Sequence, residues 1–521
     1  MTQTESSNTT VEISNNANVQ GNLLQGGLRE FHVPYATVPK RWRKAQPSPL
    51  WEGTLDARHQ RPECPQPSEG FFQRPQRVKT VYDEFNCLNL DIITPPPPTD
   101  GSLYPTLFWI HGGAMKNKSG GPDNYNATKL VAHSVEIGRP VVVVNVTYRL
   151  NVFGFFSSSD LKKDVDQDGE DVYGSWGIDD TRLAVQWVKQ HIQHFGGDPD
   201  RLTGFGESAG AIILHNLLLL DDAPFKRAIL QSGVVGVMPA KPPFFFDRWW
   251  KRILDHYKVT SVDELRNIPA GDLAQTATDL NYQYTAILDG AVCEDPLKKY
   301  KSPGAYPTLE ALIIGDNTDE GTLWTRLGGE PAQTYRGTEM IIPASLLDRF
   351  HELYPPSALE QEEAALPMLD DIYAERLFLC PAERTVNAIV SDDSSKVKLY
   401  RYRLDRDLEA SRPFNLGKHH GADVAYVFLG DRLNAEETEA GKVILSHWLA
   451  FAYGLDLDTE VGWKQYDNAS KLCMVYGQDG NEVKSLEDTK DAARYQFWED
   501  VEDRIHAELQ DKALQLQKQK L

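Results

Sequence analysis

Between residues 86 and 233 the chain alternates between two hydrophobic periods. Leu88 to Ile93 alternates apolar and polar positions, the period of a half-buried strand. Thr106 to Ile110 (TLFWI) is a continuous apolar run and Val141 to Val144 a β-branched one. Runs of that kind fit strands buried on both faces. Leu183, Ala184, Trp187, Val188, Ile192 and Phe195 then recur along one helical face, and Gly196-Gly197 ends the helix. Arg201 to Phe205 reads as a short strand, Ala209 to Leu220 as a helix and Ala228 to Gln231 as another strand. Later strands are predicted at Ala311 to Ile314, Val397 to Tyr402 and Lys471 to Tyr476, and a helix with a polar end at Asp491 to Leu521. Apolar strands alternating with helices predict the α/β class, with a large, mainly parallel sheet covered by helices on both faces.

Residues 1–19 are polar almost throughout and predict a flexible N-terminal tail. Residues 20–521 show no composition break and predict a single domain with long insertions. Pro95 to Pro98 reads as a stiff surface loop between two strands. No stretch approaches the ~20 apolar residues of a membrane helix, so no membrane span is expected. The N-terminus has neither a basic n-region nor an apolar h-region. That predicts a cytoplasmic protein if Met1 is the true start, and a secreted one if the N-terminus is incomplete.

Charge narrows the partners. Against 54 Lys and Arg stand 75 Asp and Glu, a net charge of −21. Such a surface repels phosphate, so nucleic acid and anionic membranes are poor partners. The 5 cysteines (Cys64, Cys87, Cys293, Cys380 and Cys473) form no CxxC pair. Neither a disulfide scaffold nor a structural metal site is expected.

Two segments carry chemistry. Gly206-Glu207-Ser208-Ala209-Gly210 lies between a predicted strand and a predicted helix, the setting of a nucleophile elbow. A serine on so tight a turn presents its hydroxyl outward, and the glycines two positions to either side remove the Cβ atoms that would clash. His111-Gly112-Gly113-Ala114 follows the TLFWI strand directly. Small residues there let backbone N–H groups converge on an oxyanion.

A longer series joins these two. Tyr148 to Leu150 (YRL), Phe153 to Phe155 (FGF), Phe195 to Pro199 (FGGDP), Gly204 to Gly210 (GFGESAG) and Ala228 to Gly233 (AILQSG) follow in order. Trp51-Glu52-Gly53, Cys64-Pro65-Gln66 and Cys87 to Leu90 precede them. Together they resemble the type-B carboxylesterase/lipase family, the cholinesterase-like branch of the α/β-hydrolase fold, over roughly residues 20 to 470.

The resemblance implies a Ser–acid–His triad. Ser208 is the nucleophile, Glu320 in Asp319-Glu320-Gly321 matches the acid, and His420 in His419-His420-Gly421 matches the base. Asp319, Asp316 and His419 stand as alternatives. By the same match Gly113, Ala114 and Ala209 supply the oxyanion N–H groups, and Glu207, Ser232 and Asp423 form a supporting cluster. Cys64 and Cys87 match the family's first disulfide pair. Phe71 and Phe72 lie in the loop between them, where cholinesterases carry a tryptophan, so choline esters are disfavoured. Phe245 and Trp249, from the aromatic run Phe244 to Trp250, are further pocket candidates. The resemblance implies a serine carboxylesterase acting on a small-molecule ester that is hydrophobic, uncharged or bulky. It implies no metal or organic cofactor. A monomer or homodimer is expected. An acyltransferase with the same triad and a non-catalytic adhesion-type relative are the competing readings.

Overall fold

The computed structural model of the chain describes residues 7–67, 80–326, 328–487 and 491–518. The expected N-terminal tail is corrected from residue 7 onward. Ser7–Ser14 (β1) and Ala17–Leu23 (β2) pair as an antiparallel hairpin. Val11, Ile13, Ala17 and Val19 are buried beneath it. Alternation of these few apolar residues with Thr, Glu, Asn and Gln is the period of a strand with one dry face. In so polar a segment that alternation is easily mistaken for disorder.

The hairpin begins a 13-stranded mixed sheet. The remaining strands are Arg29–Pro34 (β3), Gly53–Asp56 (β4), Asn89–Thr94 (β5), Tyr104–Ile110 (β6), Val142–Thr147 (β7), Gly197–Glu207 (β8), Arg227–Gln231 (β9), Ala311–Asn317 (β10), Lys398–Asp405 (β11), Leu472–Gly477 (β12) and Gly480–Ser485 (β13). In space the order is β1-β2-β3-β5-β7-β6-β8-β9-β10-β11-β12-β13, with β4 beside β2. From β7 to β12 every neighbouring pair is parallel. The pairs at either end of that run are antiparallel.

Each central strand feeds two cores. Phe108 and Ile110 of β6 join one apolar cluster, with Trp176, Ala184 and Val188 of helix α1 (Trp176–His191) and Leu214 of α2 (Ala209–Leu218). Leu107 and Trp109, one residue out of phase, join a second cluster with Trp448 and Leu449 of the helix Ala435–Ala452. Helices on both faces explain why these strands read as unbroken apolar runs. A third cluster stands apart from the sheet. There Phe497, Trp498 and Val501 of the C-terminal helix Ala492–Lys518 pack against Tyr335, Phe350, Tyr354 and Leu369. Among the described residues no helix is long and apolar enough to cross a membrane.

Cys64 and Cys87 are fully buried and are free thiols rather than the disulfide that the resemblance implies. The Leu150 N–H donates to Cys64 Sγ at 3.3 Å. At the carboxyl ends of β6, β8, β9 and β10, and in the chain beyond β11, the loops carry the candidate chemistry, the usual place for a site in a parallel sheet.

Candidate active site

Ser208 closes β8 and opens α2 with φ 54° and ψ −123°, a conformation that non-glycine residues avoid. Its neighbours make the turn possible. A Cβ on Gly210 would lie 1.9 Å from the Ile110 carbonyl oxygen, and one on Gly206 would lie 2.7 Å from the Gly210 backbone. The Ser208 N–H donates to the Gln231 carbonyl at 2.8 Å, which pins the elbow to β9. The side chain is half-buried at the N-terminus of α2, where the helix dipole favours developing negative charge.

The loop after β6 turns through three consecutive left-handed residues: Gly113 (φ 104°), Ala114 (φ 55°) and Met115 (φ 58°). Among the described residues the N–H groups of Gly113, Ala114 and Ala209 have no acceptor, which leaves all three available to an oxyanion. Gly112 sits directly on the elbow, since a Cβ there would meet Glu207 Oε2 at 2.3 Å and Ser208 Cβ at 3.1 Å.

The carboxylate facing the imidazole is that of Glu320. Its Oε2 lies 2.6 Å from His420 Nδ1. Its Oε1 accepts from Ser232 Oγ at 2.5 Å and from the Asn317 N–H at 2.8 Å. The other carboxylates in the region are engaged elsewhere. Asp316 is held by Arg401 and Arg403, and Asp319 accepts from the Lys418 N–H at 2.8 Å. Asp319 and His419 also pair as a parallel backbone bridge, so the two loops are laced together one residue before Glu320 and His420. His419 faces away, with Nε2 2.8 Å from Ser411 Oγ.

His420 Nε2 lies 3.2 Å from Glu207 Oε1. Among the described residues Ser208 Oγ makes no hydrogen bond, so the serine and the imidazole are not yet joined. Burial opposes a charge on His420, but the Glu320 carboxylate, with Glu207 and Asp423 behind it, raises its pKa above 6.5. Asp423 accepts from Tyr402 Oη at 2.5 Å and from Gln231 Nε2 at 2.9 Å, and burial lifts it to about 6. His111 is fully buried, stacked on Tyr148 and pushed down to about 3 by burial, which fits a structural residue.

The chain belongs to the carboxylesterase family. That family's model matches residues 7–498, nearly the whole chain. Lipase 3 of Yarrowia lipolytica is 30% identical over 471 residues, covering 85% of this chain and 88% of that protein. Para-nitrobenzyl esterase of Bacillus subtilis is 28% identical, covering 88% and 92%. A solved thermophilic PNB esterase superposes with a TM-score of 0.76 at 25% identity, over 93% of this chain and 99% of its own. The α/β-hydrolase carboxylesterase fold follows.

A cavity of about 460 Å³ adjoins the site, walled in part by Ala114, Met238, Phe245, Tyr282 and Leu377. It meets the site through Ala114 and through the π-helical turn Glu375–Leu379; Ser208 is not part of its wall. Phe245, one of the pocket candidates, lines this cavity. Trp249 does not. It is 3% exposed, packs on Phe246 and Tyr282 in the core, and donates through Nε1 to the Asn281 carbonyl. Its ring lies behind that of Phe245, with centroids 5.8 Å apart, in the helix Asp247–Tyr257. Phe71 and Phe72 lie outside the described residues.

Carboxylesterase-family motifs did not point to every neighbour. Asn317 reaches the second oxygen of Glu320 and lies three residues ahead of it, within reach of local inspection. Trp324 and Phe378 pack on the His420 ring with centroids 5.0 and 4.4 Å away. Phe378 comes from a helix remote in sequence, and no local pattern marks it.

Proposed function

We propose that this protein is a serine carboxylesterase acting through an acyl-Ser208 intermediate. His420 takes the Ser208 proton and later delivers it to the leaving alcohol. Glu320 fixes the imidazole with Nδ1 protonated and stabilises the imidazolium. Gly113, Ala114 and Ala209 donate N–H groups to the oxyanion of each tetrahedral intermediate. Ser232 and Asn317 hold the far oxygen of Glu320, and Asp423 braces the histidine loop through Tyr402 and Gln231. Water then attacks the acyl-enzyme and gives a proton to His420, which passes it to Ser208 Oγ as the bond to the acyl carbon breaks and the acid leaves.

The observation that carries this reading is the 2.6 Å contact from Glu320 to His420 Nδ1 beside a serine held at φ 54°. The open Ser208 to His420 gap accords with a free enzyme, in which catalytic hydrogen bonds are often long and tighten with substrate. The test compares wild type and Ser208→Ala on p-nitrophenyl esters of increasing chain length. Loss of the nucleophile lowers kcat by roughly 10⁴-fold or more with circular dichroism unchanged. A variant retaining near-wild-type turnover defeats the proposal. A fluorophosphonate adduct mapped to Ser208 supports it independently.

A further inference from the structure

The cavity beside Ala114 is apolar over much of its surface, yet three cations stand in its wall: Lys116, Lys241 and Arg376. Lys116 belongs to the same loop as the oxyanion donors, two residues beyond Ala114. Arg376 sits on the π-helical turn whose Phe378 packs against His420. Lys241 lies over the Phe245 ring at 5.8 Å. Among the described residues no carboxylate comes within 4.0 Å of any of the three, the separation of an ion pair. None of the three side-chain ends has a hydrogen-bond acceptor there either.

The rest of the wall shows what a satisfied cation looks like in the same place. Arg384 is held by Glu499, Glu502 and Asp503, and His506 by Asp295. Glu502, the carboxylate of the wall, is engaged through Oε2 by Arg384, while its Oε1 has no hydrogen-bond partner among the described residues. In a chain with 75 acidic and 54 basic residues, three cations in one cavity wall without an ion-pair partner among the described residues run against the average field of the molecule. Buried or half-buried charge is costly unless paired, and a binding site is where such a cost is tolerated. Burial, reinforced by the neighbouring charge of Arg376, pulls Lys241 down to about 8, and burial lowers Arg376 as well.

Resting on the esterase reading above, we propose that the cavity binds a carboxylate carried by the substrate, so that the ester cleaved at Ser208 is itself an anion. Lys241 and Arg376 receive the carboxylate, the apolar wall between them and Ala114 receives the linking hydrocarbon, and Lys116 adds positive potential near the reacting carbonyl. This departs from the uncharged ester expected from the sequence.

Matched esters test it. On the acyl side, mono-4-nitrophenyl glutarate is compared with 4-nitrophenyl pentanoate. On the alcohol side, 4-carboxyphenyl pentanoate is compared with 4-carbamoylphenyl pentanoate. Wild type favours the carboxylate in at least one pair by kcat/KM. Lys241→Met or Arg376→Met lowers that ratio by about tenfold or more, the scale of a lost charge-assisted hydrogen bond. Lys241→Arg keeps the ratio within about threefold, since the charge remains. Melting temperatures of the methionine variants stay level or rise, because an unpaired cation has been removed. Preference for the neutral ester in both pairs, or a ratio unmoved by both methionine variants, overturns the proposal. Failure of the esterase reading looks different: no ester is turned over, or Ser208→Ala turns them over like wild type. Binding of free glutarate to Ser208→Ala, by calorimetry, then decides the cavity alone. Binding that Arg376→Met abolishes supports it, and absence of binding overturns it.

Discussion

At the scale of single residues, the site depends on where one proton sits. On the proposed mechanism His420 acts as a base only when neutral, so kcat/KM falls as pH drops through its pKa in the free enzyme. Glu320, Glu207 and Asp423 raise that pKa above 6.5, which puts the acid limb above 6.5. Glu207→Gln removes one of the anions that favour the imidazolium. The limb then moves to lower pH in a pH–rate profile; a limb that stays or moves upward rules out the coupling through the 3.2 Å contact. Glu320→Gln keeps the shape of the side chain but loses its charge and can present an N–H to Nδ1. By analogy with other triads, kcat falls about 10³- to 10⁴-fold, and steady-state kinetics on one activated ester checks this.

At the scale of elements, two turns and one hairpin matter most. The elbow requires glycine at 206 and 210 because backbone atoms of neighbouring segments occupy the space of a side chain. Gly210→Ala forces a Cβ against the Ile110 carbonyl and costs about 1–3 kcal/mol or more, read as a drop in the urea midpoint. An unchanged midpoint would mean that the elbow is not as tight as described. The π-helical turn Glu375–Leu379 does two jobs at once. It lays Phe378 on His420 and points Arg376 and Leu377 at the cavity. An extra residue in a helical turn shifts the faces of everything after it, and such turns recur at functional sites. The hairpin β1–β2 is a third case. Deleting residues 1–24 strips Val11, Ile13 and Val19 from the core and bares Phe31, which Gly21 abuts. The melting temperature falls by several degrees; a true tail would leave it unchanged.

For the whole molecule, distant segments meet in ways that local pattern does not announce. The C-terminal helix Ala492–Lys518 completes the third apolar cluster through Phe497, Trp498 and Val501. It also walls the cavity beside Ala114 with Trp498, Val501, Glu502 and Ile505. A chain ending before residue 492 therefore loses packing and cavity together. On the proposed reading its selectivity among esters changes, and it gains dye-accessible apolar surface; a selectivity identical to wild type would separate the helix from the substrate site. The buried ion pair Arg149–Asp180 works at the same scale, tying the segment just after β7 to α1 with both partners at most 1% exposed. Arg149→Met leaves Asp180 buried and unpaired, and chemical denaturation registers a loss of about 3–5 kcal/mol.

Much of this was legible before the fold was seen. The apolar runs at Thr106 to Ile110, Val141 to Val144 and Ala311 to Ile314 became central parallel strands, because a strand covered on both faces leaves no polar alternation to misread. The tight turns at Ser208 and after β6 were legible because the glycines that permit them are local; the oxyanion role of Gly113, Ala114 and Ala209 came from the family resemblance. The choice among Asp316, Asp319 and Glu320, and between His419 and His420, was left to the family resemblance. The adjacent carboxylates of Asp319 and Glu320 look alike in sequence; in the fold Asp319 accepts from the Lys418 N–H and Glu320 faces His420. Trp249 was misjudged for the same reason, since an aromatic run does not declare which ring faces the cavity. The free Cys64 and Cys87 thiols, the burial of the N-terminal hairpin and the unpaired cations around Arg376 were likewise settled only by tertiary structure. Whether a charge has a partner is a property of distances between residues hundreds of positions apart, and composition records only how many charges there are.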